Sequence, residues 1–368
     1  MRRAFWYVLR VFVRTRDCRV TVPALLFDPE FLVFDFVPDQ GLTKFLVASE
    51  EILDQSPFID IRFEPLAQAQ FWVSTADLLA LESRRDVPRP GPAFIFHHAF
   101  VCSTLLARCL GRSNAFFSLK EPWILRRLAD VKRARSDAAP GPAWRELLCA
   151  YVNLLCRNFR TGRVPLIKAT NVANNLLEDL LQFMPGQRVL YLYSDLESFL
   201  ISVLRKSDDT KQKMPALAQS FLQDGNFVQR VPHLGKPAQM TPLQASAAVW
   251  LVSLYNLQRI ASRHSRAALR TLDARDFMRD PPGTIAHVSR FFGHEPDTAE
   301  IERMTDRAVL EANAKDPPQP YSPGQRRIDM DATASRHRRE LADMRDWIEP
   351  LAAELGVLDD LRALHLAA

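Results

Sequence analysis

Residues 90–122 read PGPAFIFHHAFVCSTLLARCLGRSNAFFSLKEP, and the rest of the chain is organised around them. Residues 93–96 are a short apolar run bounded by Pro92, the length of a buried strand. A six-residue turn, 97–102, follows. Ser103-Thr104 then opens an apolar-periodic segment carrying Leu105, Leu106, Cys109 and Leu110. Ser and Thr suit a helix start because their hydroxyls satisfy backbone N–H groups that lack intrahelical partners. Strand, tight loop and helix in that order can cradle a phosphate, since loop N–H groups and the positive end of the helix dipole point at the anion. Neither Gly nor Lys occurs between His97 and Thr104, so the Walker pattern is absent. Residues 118–122 read as the end of the next strand, with Glu121 at its tip. A buried strand–helix unit with no ligand has much the same pattern, and this stretch alone leaves both readings open.

At 368 residues the chain can bury a sizeable core, as one large α/β domain or a domain with an appendage. A hydrophobic content of 47% with 25% charged residues is that of an ordinary globular protein. The net charge of +5 is spread along the sequence. It suits a small anionic ligand, and no Lys/Arg block is long enough to argue for nucleic acid. The cysteines are Cys18, Cys102, Cys109, Cys149 and Cys156, an odd number without zinc-like spacing. A reduced, cytoplasmic protein with no metal is the expectation. The start, MRRAFWYVLRVFVRTRD, is basic then apolar, but Arg10 and Arg14 interrupt it too early for a signal peptide. No segment reaches the roughly 18 apolar residues of a spanning helix.

Residues 1–88 are expected to form a small α+β appendage, with strands at 31–36, 45–48, 59–63 and 71–73 and a helix near 75–82. Residues 89–368 are expected to form the main α/β domain, a three-layer parallel sheet flanked by helices. Its signals are a helix at 144–159, a strand at 164–167 ending on Lys168, a helix at 174–183 and a strand at 188–193. Ser194 to Glu197 reads as an S-x-x-E capping box. Residues 207–241 are polar and broken, and read as a mobile lid or insert. A long helix at 241–263, a strand at 269–272, a helix at 281–292, a proline-rich loop at 317–324 and a final helix at 332–355 complete the chain.

Four blocks in this order resemble the sulfotransferase family, P-loop-type α/β enzymes that use 3′-phosphoadenosine 5′-phosphosulfate, PAPS. AFIFHHAFVCSTLLARCL (93–110) resembles its strand, phosphosulfate loop and helix; LIKATN (166–171) resembles the strand ending in a lysine near the transferring group. RVLYLYSDLESFLISVL (188–204) resembles the unit that holds the 3′-phosphate, and LRTLDARDFMRDPPGTIAHVSRFFG (269–293) the downstream "dP…FLG" block. The resemblance spans residues 90–345. It implies transfer of a sulfuryl group from PAPS to a hydroxyl or amine on a small-molecule or glycan acceptor, without a metal. The family's loop commonly reads P-[KR]-S-G-T-T; here it reads Ala99-Phe100-Val101-Cys102-Ser103-Thr104, with Phe100 in place of the cation and Cys102 in place of the glycine. The arginine that commonly opens the 3′-phosphate block is Ser194, while the later serine matches Ser202.

Sulfuryl transfer needs in-line positioning, neutralisation of the leaving phosphate oxygen and a base for the acceptor. Lys168 is expected to meet the leaving oxygen, because it ends a buried strand at the edge where open α/β sheets bind ligands; otherwise it is a strand-end lysine reaching for solvent. Two rivals stand for the base: the pair His97/His98, by intrinsic pKa range, and Glu121, by its place at a strand end. Phe100, Val101, Cys102, Ser103 and Thr104 form the expected phosphate loop. Ser194, Ser198, Ser202 and Arg205 share a helical face. Arg326 or Arg327, with Ser202, is expected to replace the missing arginine, and Arg205 to help less. Two other readings are open: a nucleotide kinase or hydrolase, if Tyr191 to Asp195 is a Walker-B strand end, and an inactive nucleotide-binding scaffold.

Overall fold

The strands of the chain fall into two sheets, seen in a computed structural model that describes residues 12–13, 22–83, 91–135, 141–157, 159, 161–265, 267–312, 323–357, 361 and 364–366. The N-terminal sheet contains β1 (Phe12–Val13), β2 (Phe31–Val37), β3 (Leu42–Val47) and β4 (Ala69–Ser74), antiparallel in the order β1-β4-β3-β2. The second sheet contains β5 (Ala93–His97), β6 (Phe116–Lys120), β7 (Val164–Lys168), β8 (Arg188–Tyr193) and β9 (Leu269–Asp273). It is parallel throughout, in the order β6-β7-β5-β8-β9. This is the α/β architecture with an α+β appendage that the sequence predicts.

β5 and β6 are buried at every position, as continuous apolar strands covered on both faces should be. Alternation along the strands divides the core. Phe94, Phe96, Phe117, Ile167, Val189 and Tyr191 face one layer. Ile95, Phe116, Leu166, Leu190 and Leu192 face the other, packed on Leu105, Leu106, Cys109 and Leu110 of the helix Ser103–Gly111. Strand order reverses at β5: β6 and β7 lie to one side, β8 and β9 to the other. A crevice opens at such a switch point, beyond the carboxyl ends of the strands.

The appendage shares the first of these two cores, its Phe34, Phe45 and Phe71 belonging to one cluster with Phe94 and Phe96. Residues 59–63, expected as a strand, form a turn instead. Asp60 accepts from the backbone N–H and side chain of Arg62, which closes the turn locally. Ile59 is freed to dock on the main sheet, donating to Lys120 O at 2.7 Å and accepting from Trp123 N at 2.9 Å.

Residues 207–241 correct the expectation of a loose insert. They contain the helices Asp208–Gln212, Met214–Phe221 and Phe227–Arg230, and bury Met214, Phe221 and Phe227 against Pro242–Ala261. Their apolar residues are spaced for a helix but interrupted by Pro and Gly, which masks the pattern. Thr241 and Gln244 cap Pro242–Ala261 reciprocally. The expected final helix is two, Pro323–Arg336 and Arg338–Glu354. The expected proline-rich loop lies largely in residues 313–322, outside the described residues, as do Cys18 and most of the basic N-terminus. No described helix is long and apolar enough to cross a membrane.

Candidate active site

The loop between β5 and the helix Ser103–Gly111 turns with Ala99, Phe100 and Cys102 at φ of 94°, 56° and 58°. Glu121, just beyond β6, has φ of 57°. Left-handed backbone is uncommon outside glycine and costs on the order of 1–3 kcal/mol per residue. Four of the five such non-glycine residues described lie at this one sheet edge. A loop of this kind can turn successive N–H groups inward as an anion nest, and the first N–H groups of the following helix add to it.

The two histidines hold the loop in place. His97 Nδ1 accepts from Ala99 N at 3.1 Å, so its proton is on Nε2, which donates to Ala169 O at 3.1 Å. Asn174 Nδ2 donates to His97 O at 2.9 Å. His98 is fully buried; its Nε2 accepts from Ser194 N at 2.8 Å and its ring stands edge-on to Phe199. Burial disfavours the imidazolium and pushes its pKa down to about 4. The nitrogen through which His98 could act as a base is occupied by Ser194. Its observed part is to tie the loop to the end of β8.

The other expected base and the expected lysine meet. The Lys168 ammonium pairs with Glu121 Oε1, and Glu121 N donates to Lys168 O at 2.7 Å. The Lys168 side chain is 1% exposed and that of Glu121 19%, so the carboxylate is the accessible member. Lys120, opposite Lys168 in register, behaves differently: it donates to Asp54 O at 2.8 Å, and burial pushes its pKa down to about 8. Lys120 joins the appendage to the sheet; Lys168 faces a carboxylate at the crevice.

Cations reach the loop from later elements. Arg326 Nη1 donates to Cys102 Sγ at 2.6 Å. Lys206 Nζ lies 4.9 Å from the centre of the Phe100 ring, which stacks on Phe199. Arg327 is exposed. Arg205 Nη2 donates to Asp329 Oδ2 at 2.9 Å and joins its helix to Pro323–Arg336. Ser202 donates to Ser198 O at 2.9 Å, leaving its oxygen able to accept but its proton engaged. Val101, Ser103 and Thr104 are buried at the foot of the loop, while Cys102 is half-buried.

Ser194 does not cap the helix Leu196–Leu204. Asp195 does, accepting from Ser198 N at 2.7 Å and Ser198 Oγ at 2.9 Å. Backbone contacts decide this: Ser194 gives its N–H to His98 and accepts from Trp250 Nε1 at 3.0 Å, which fixes it one position before the cap. Asp195 also brings negative charge to the helix start and pairs with Arg275 at 3.0 Å. Lys206 and Asn174 were not singled out by sequence, and Asp195 only as the acid of a possible Walker-B strand end. Its role as the cap could have been read from an Asp before an apolar run; Asn174 and Lys206 carry no local signal.

The fold and site thus define an α/β protein with a left-handed loop after β5, a buried lysine–carboxylate pair beside it, and an arginine and a lysine reaching that loop. Among the described residues no cluster of His, Cys, Asp or Glu could hold a metal. No family model and no curated protein matches the sequence. Among solved structures, the chain is similar to a sulfotransferase domain from the curacin biosynthetic pathway, at 15% identity and a TM-score of 0.40, over 68% of this chain and 98% of that one. It is similar to the sulfotransferase STF1 from Mycobacterium tuberculosis at 14% identity and 0.40, over 68% and 77%. A sulfotransferase from Alicyclobacillus acidocaldarius gives 16% and 0.37, over 70% and 100%. Likeness at this level carries no argument about chemistry, which rests on the residues themselves.

Proposed function

We propose that the chain is a sulfotransferase that moves the sulfuryl group of PAPS to a hydroxyl or amine of a small-molecule or glycan acceptor. The observation that carries this reading is the pairing of buried Lys168 with half-shielded Glu121 at the switch point of the sheet, beside a loop in left-handed conformation. The four ordered sequence blocks support the choice of donor.

PAPS, when bound, supplies the sulfuryl group and an anionic leaving oxygen. Loop N–H groups of residues 100–104 and the start of the helix Ser103–Gly111 hold the 5′-phosphate. Arg326, with Lys206 and the acceptor lone pairs of Ser202 nearby in sequence blocks of matching order, bears the 3′-phosphate charge. Glu121 accepts the proton of the attacking hydroxyl as the new oxygen–sulfur bond forms. Lys168 turns from the carboxylate to the leaving oxygen, whose charge grows as its bond to sulfur breaks. Protonation of Glu121 weakens its hold on Lys168 at the moment the ammonium is needed elsewhere. His97 and His98 keep the loop rigid.

Release of adenosine 3′,5′-bisphosphate from PAPS, with a phenol as acceptor, tests the reading. Wild type turns over, and Lys168→Met is slower by on the order of 10²–10³, the scale of removing one transition-state donor. Equal rates in the two proteins, or no turnover by wild type with any of a panel of hydroxyl and amine acceptors, overturn it.

A further inference from the structure

The backbone at Glu121 is held from two sides. The peptide unit that joins Lys120 to Glu121 is bonded at both ends: its N–H donates to Lys168 O at 2.7 Å, and its carbonyl, Lys120 O, accepts from Ile59 N at 2.7 Å. Ile59 O in turn accepts from Trp123 N at 2.9 Å, so one residue of the appendage spans Glu121 and Pro122 with two backbone bonds. Lys168 belongs to β7, whereas Ile59 is fully buried and lies outside the parallel sheet.

These bonds matter because of the residue between them. Glu121 has φ of 57°, where its β-carbon crowds the neighbouring carbonyl, and a side chain stays in that region only when its surroundings fix it. Fixing the peptide unit before Glu121 and the N–H two positions after it sets the direction in which the carboxylate leaves the chain. Ile59 owes its own place to the turn around it. Arg62 Nη2 donates to Asp60 Oδ2 at 2.5 Å, and its guanidinium lies 4.1 Å from the centre of the Phe58 ring. Asp60 foremost, and Glu121 more weakly, raise the pKa of Arg62, so the turn lies within reach of the Glu121 charge. Two further ties hold the appendage there. Lys120 Nζ donates to Asp54 O at 2.8 Å, and Arg127, on the helix that starts at Trp123, pairs with Asp35 of β2 at 2.8 Å.

We propose that the appendage is a working part of the transfer site, and that Ile59 is the positioning residue for Glu121. Ile59 meets no reacting atom; through its two bonds it aims the carboxylate at the acceptor proton. This role presupposes the sulfotransferase reading and adds to it the purpose of a region outside the four sequence blocks. Loss of the Ile59 bonds is therefore felt in the transfer step and not in nucleotide binding, since a catalytic group misplaced by about 1 Å can cost on the order of 10²-fold in rate.

The Trp123 N–H can be removed without touching Ile59. Trp123 is the first residue of its helix, a position that suits proline because its N–H has no intrahelical partner and helical φ matches the ring. Trp123→Pro and Trp123→Ala both lack the indole, and only the first lacks the bond to Ile59 O. With PAPS and a phenol acceptor, kcat of Trp123→Pro should lie about 10–100-fold below that of Trp123→Ala, with KM for PAPS equal within about twofold. In the Glu121→Gln background the two should turn over equally, because no base remains to be aimed, whereas a merely structural loss would persist there. If Trp123→Pro fails to fold, Arg62→Ala decides: its side chain is exposed and closes the turn, and its loss should lower kcat roughly threefold or more at an unchanged KM for PAPS. Equal kcat in the Pro and Ala variants, a ratio undiminished by Glu121→Gln, or wild-type kcat in Arg62→Ala overturns the role of Ile59, while turnover by wild type leaves the sulfotransferase reading standing. No turnover by wild type overturns both.

Discussion

Arg326 donates to the sulfur of Cys102 at 2.6 Å, a contact that closes 224 positions of sequence and brings a guanidinium from the helix Pro323–Arg336 onto the loop that follows β5. The loop has Phe100 and Cys102 where its resemblance would place a cation and a glycine. Positive charge is delivered instead by a side chain distant in sequence, and a guanidinium can grip an anion with two bonds. Arg326→Ala should lower affinity for adenosine 3′,5′-bisphosphate about 10–100-fold, the scale of one to two hydrogen bonds to a charged group. Affinity for 5′-AMP should change little. Arg327→Ala, at an exposed position, should stay within about threefold. Calorimetry on both variants decides it; a larger loss from Arg327 than from Arg326 reverses the assignment.

Glu121 and Lys168 should behave as one unit. If the carboxylate takes the acceptor proton and thereby releases the ammonium, then removing either member disables the same step. Glu121→Gln and Lys168→Met should each lower turnover by about 10²–10³, and the double variant should be little worse than either single one. Multiplying losses in the double variant would mean that the two side chains act independently.

Asp195 and Ser194 stand side by side but have different duties. Asp195→Ala removes the helix cap and should cost about 1 kcal/mol of stability, up to about 2. Ser194→Ala keeps the backbone contacts to His98 and Trp250 and removes only a hydroxyl 3.5 Å from His98, so it should cost less than half as much. Urea unfolding of the two variants compares them, and equal losses would return the cap to Ser194.

The order of elements from residue 93 onward could be read because buried parallel strands are short apolar runs, and each is followed by amphipathic helix spacing. The placement of Lys168 and Glu121 at strand ends could be read from the apolar runs that precede them, but their pairing with each other could not. The Ser194 cap was misread: the local pattern S-x-x-E is correct chemistry, but the long-range bonds from His98 and Trp250 shift the chain by one residue. Residues 59–63 fail as a strand for the opposite reason, since the local Asp60–Arg62 turn overrides an apolar alternation. The loop anchors His97 and His98 resemble bases in sequence, and only their partners 72 and 96 positions away reveal otherwise.

His98 makes a pH signature. Its folded pKa of about 4 lies below the unfolded value of 6.5, so the unfolded chain binds more protons between these limits. Stability from this residue is fully present above pH 6.5 and is lost as pH falls toward 4. Between pH 7 and 5 the loss is about 2 kcal/mol. His98→Gln keeps an acceptor for Ser194 N–H but cannot titrate. Its stability should fall by about 2 kcal/mol less than that of wild type over the same interval, measured by urea midpoints. Parallel pH profiles in the two proteins would show that the imidazole is not held neutral by burial.

The crevice at β5 is proposed to accept a 3′-phosphorylated adenine nucleotide for sulfuryl transfer. Thermal denaturation with adenosine 3′,5′-bisphosphate, 5′-AMP and ATP with Mg²⁺ tests this most directly, since ligand at ~100 times its dissociation constant stabilises the folded state by about 2.7 kcal/mol. A clear rise in melting temperature is expected with the bisphosphate, a smaller one with 5′-AMP and none beyond that with ATP–Mg²⁺. Stabilisation by ATP–Mg²⁺ alone, or by none of the three, would contradict it.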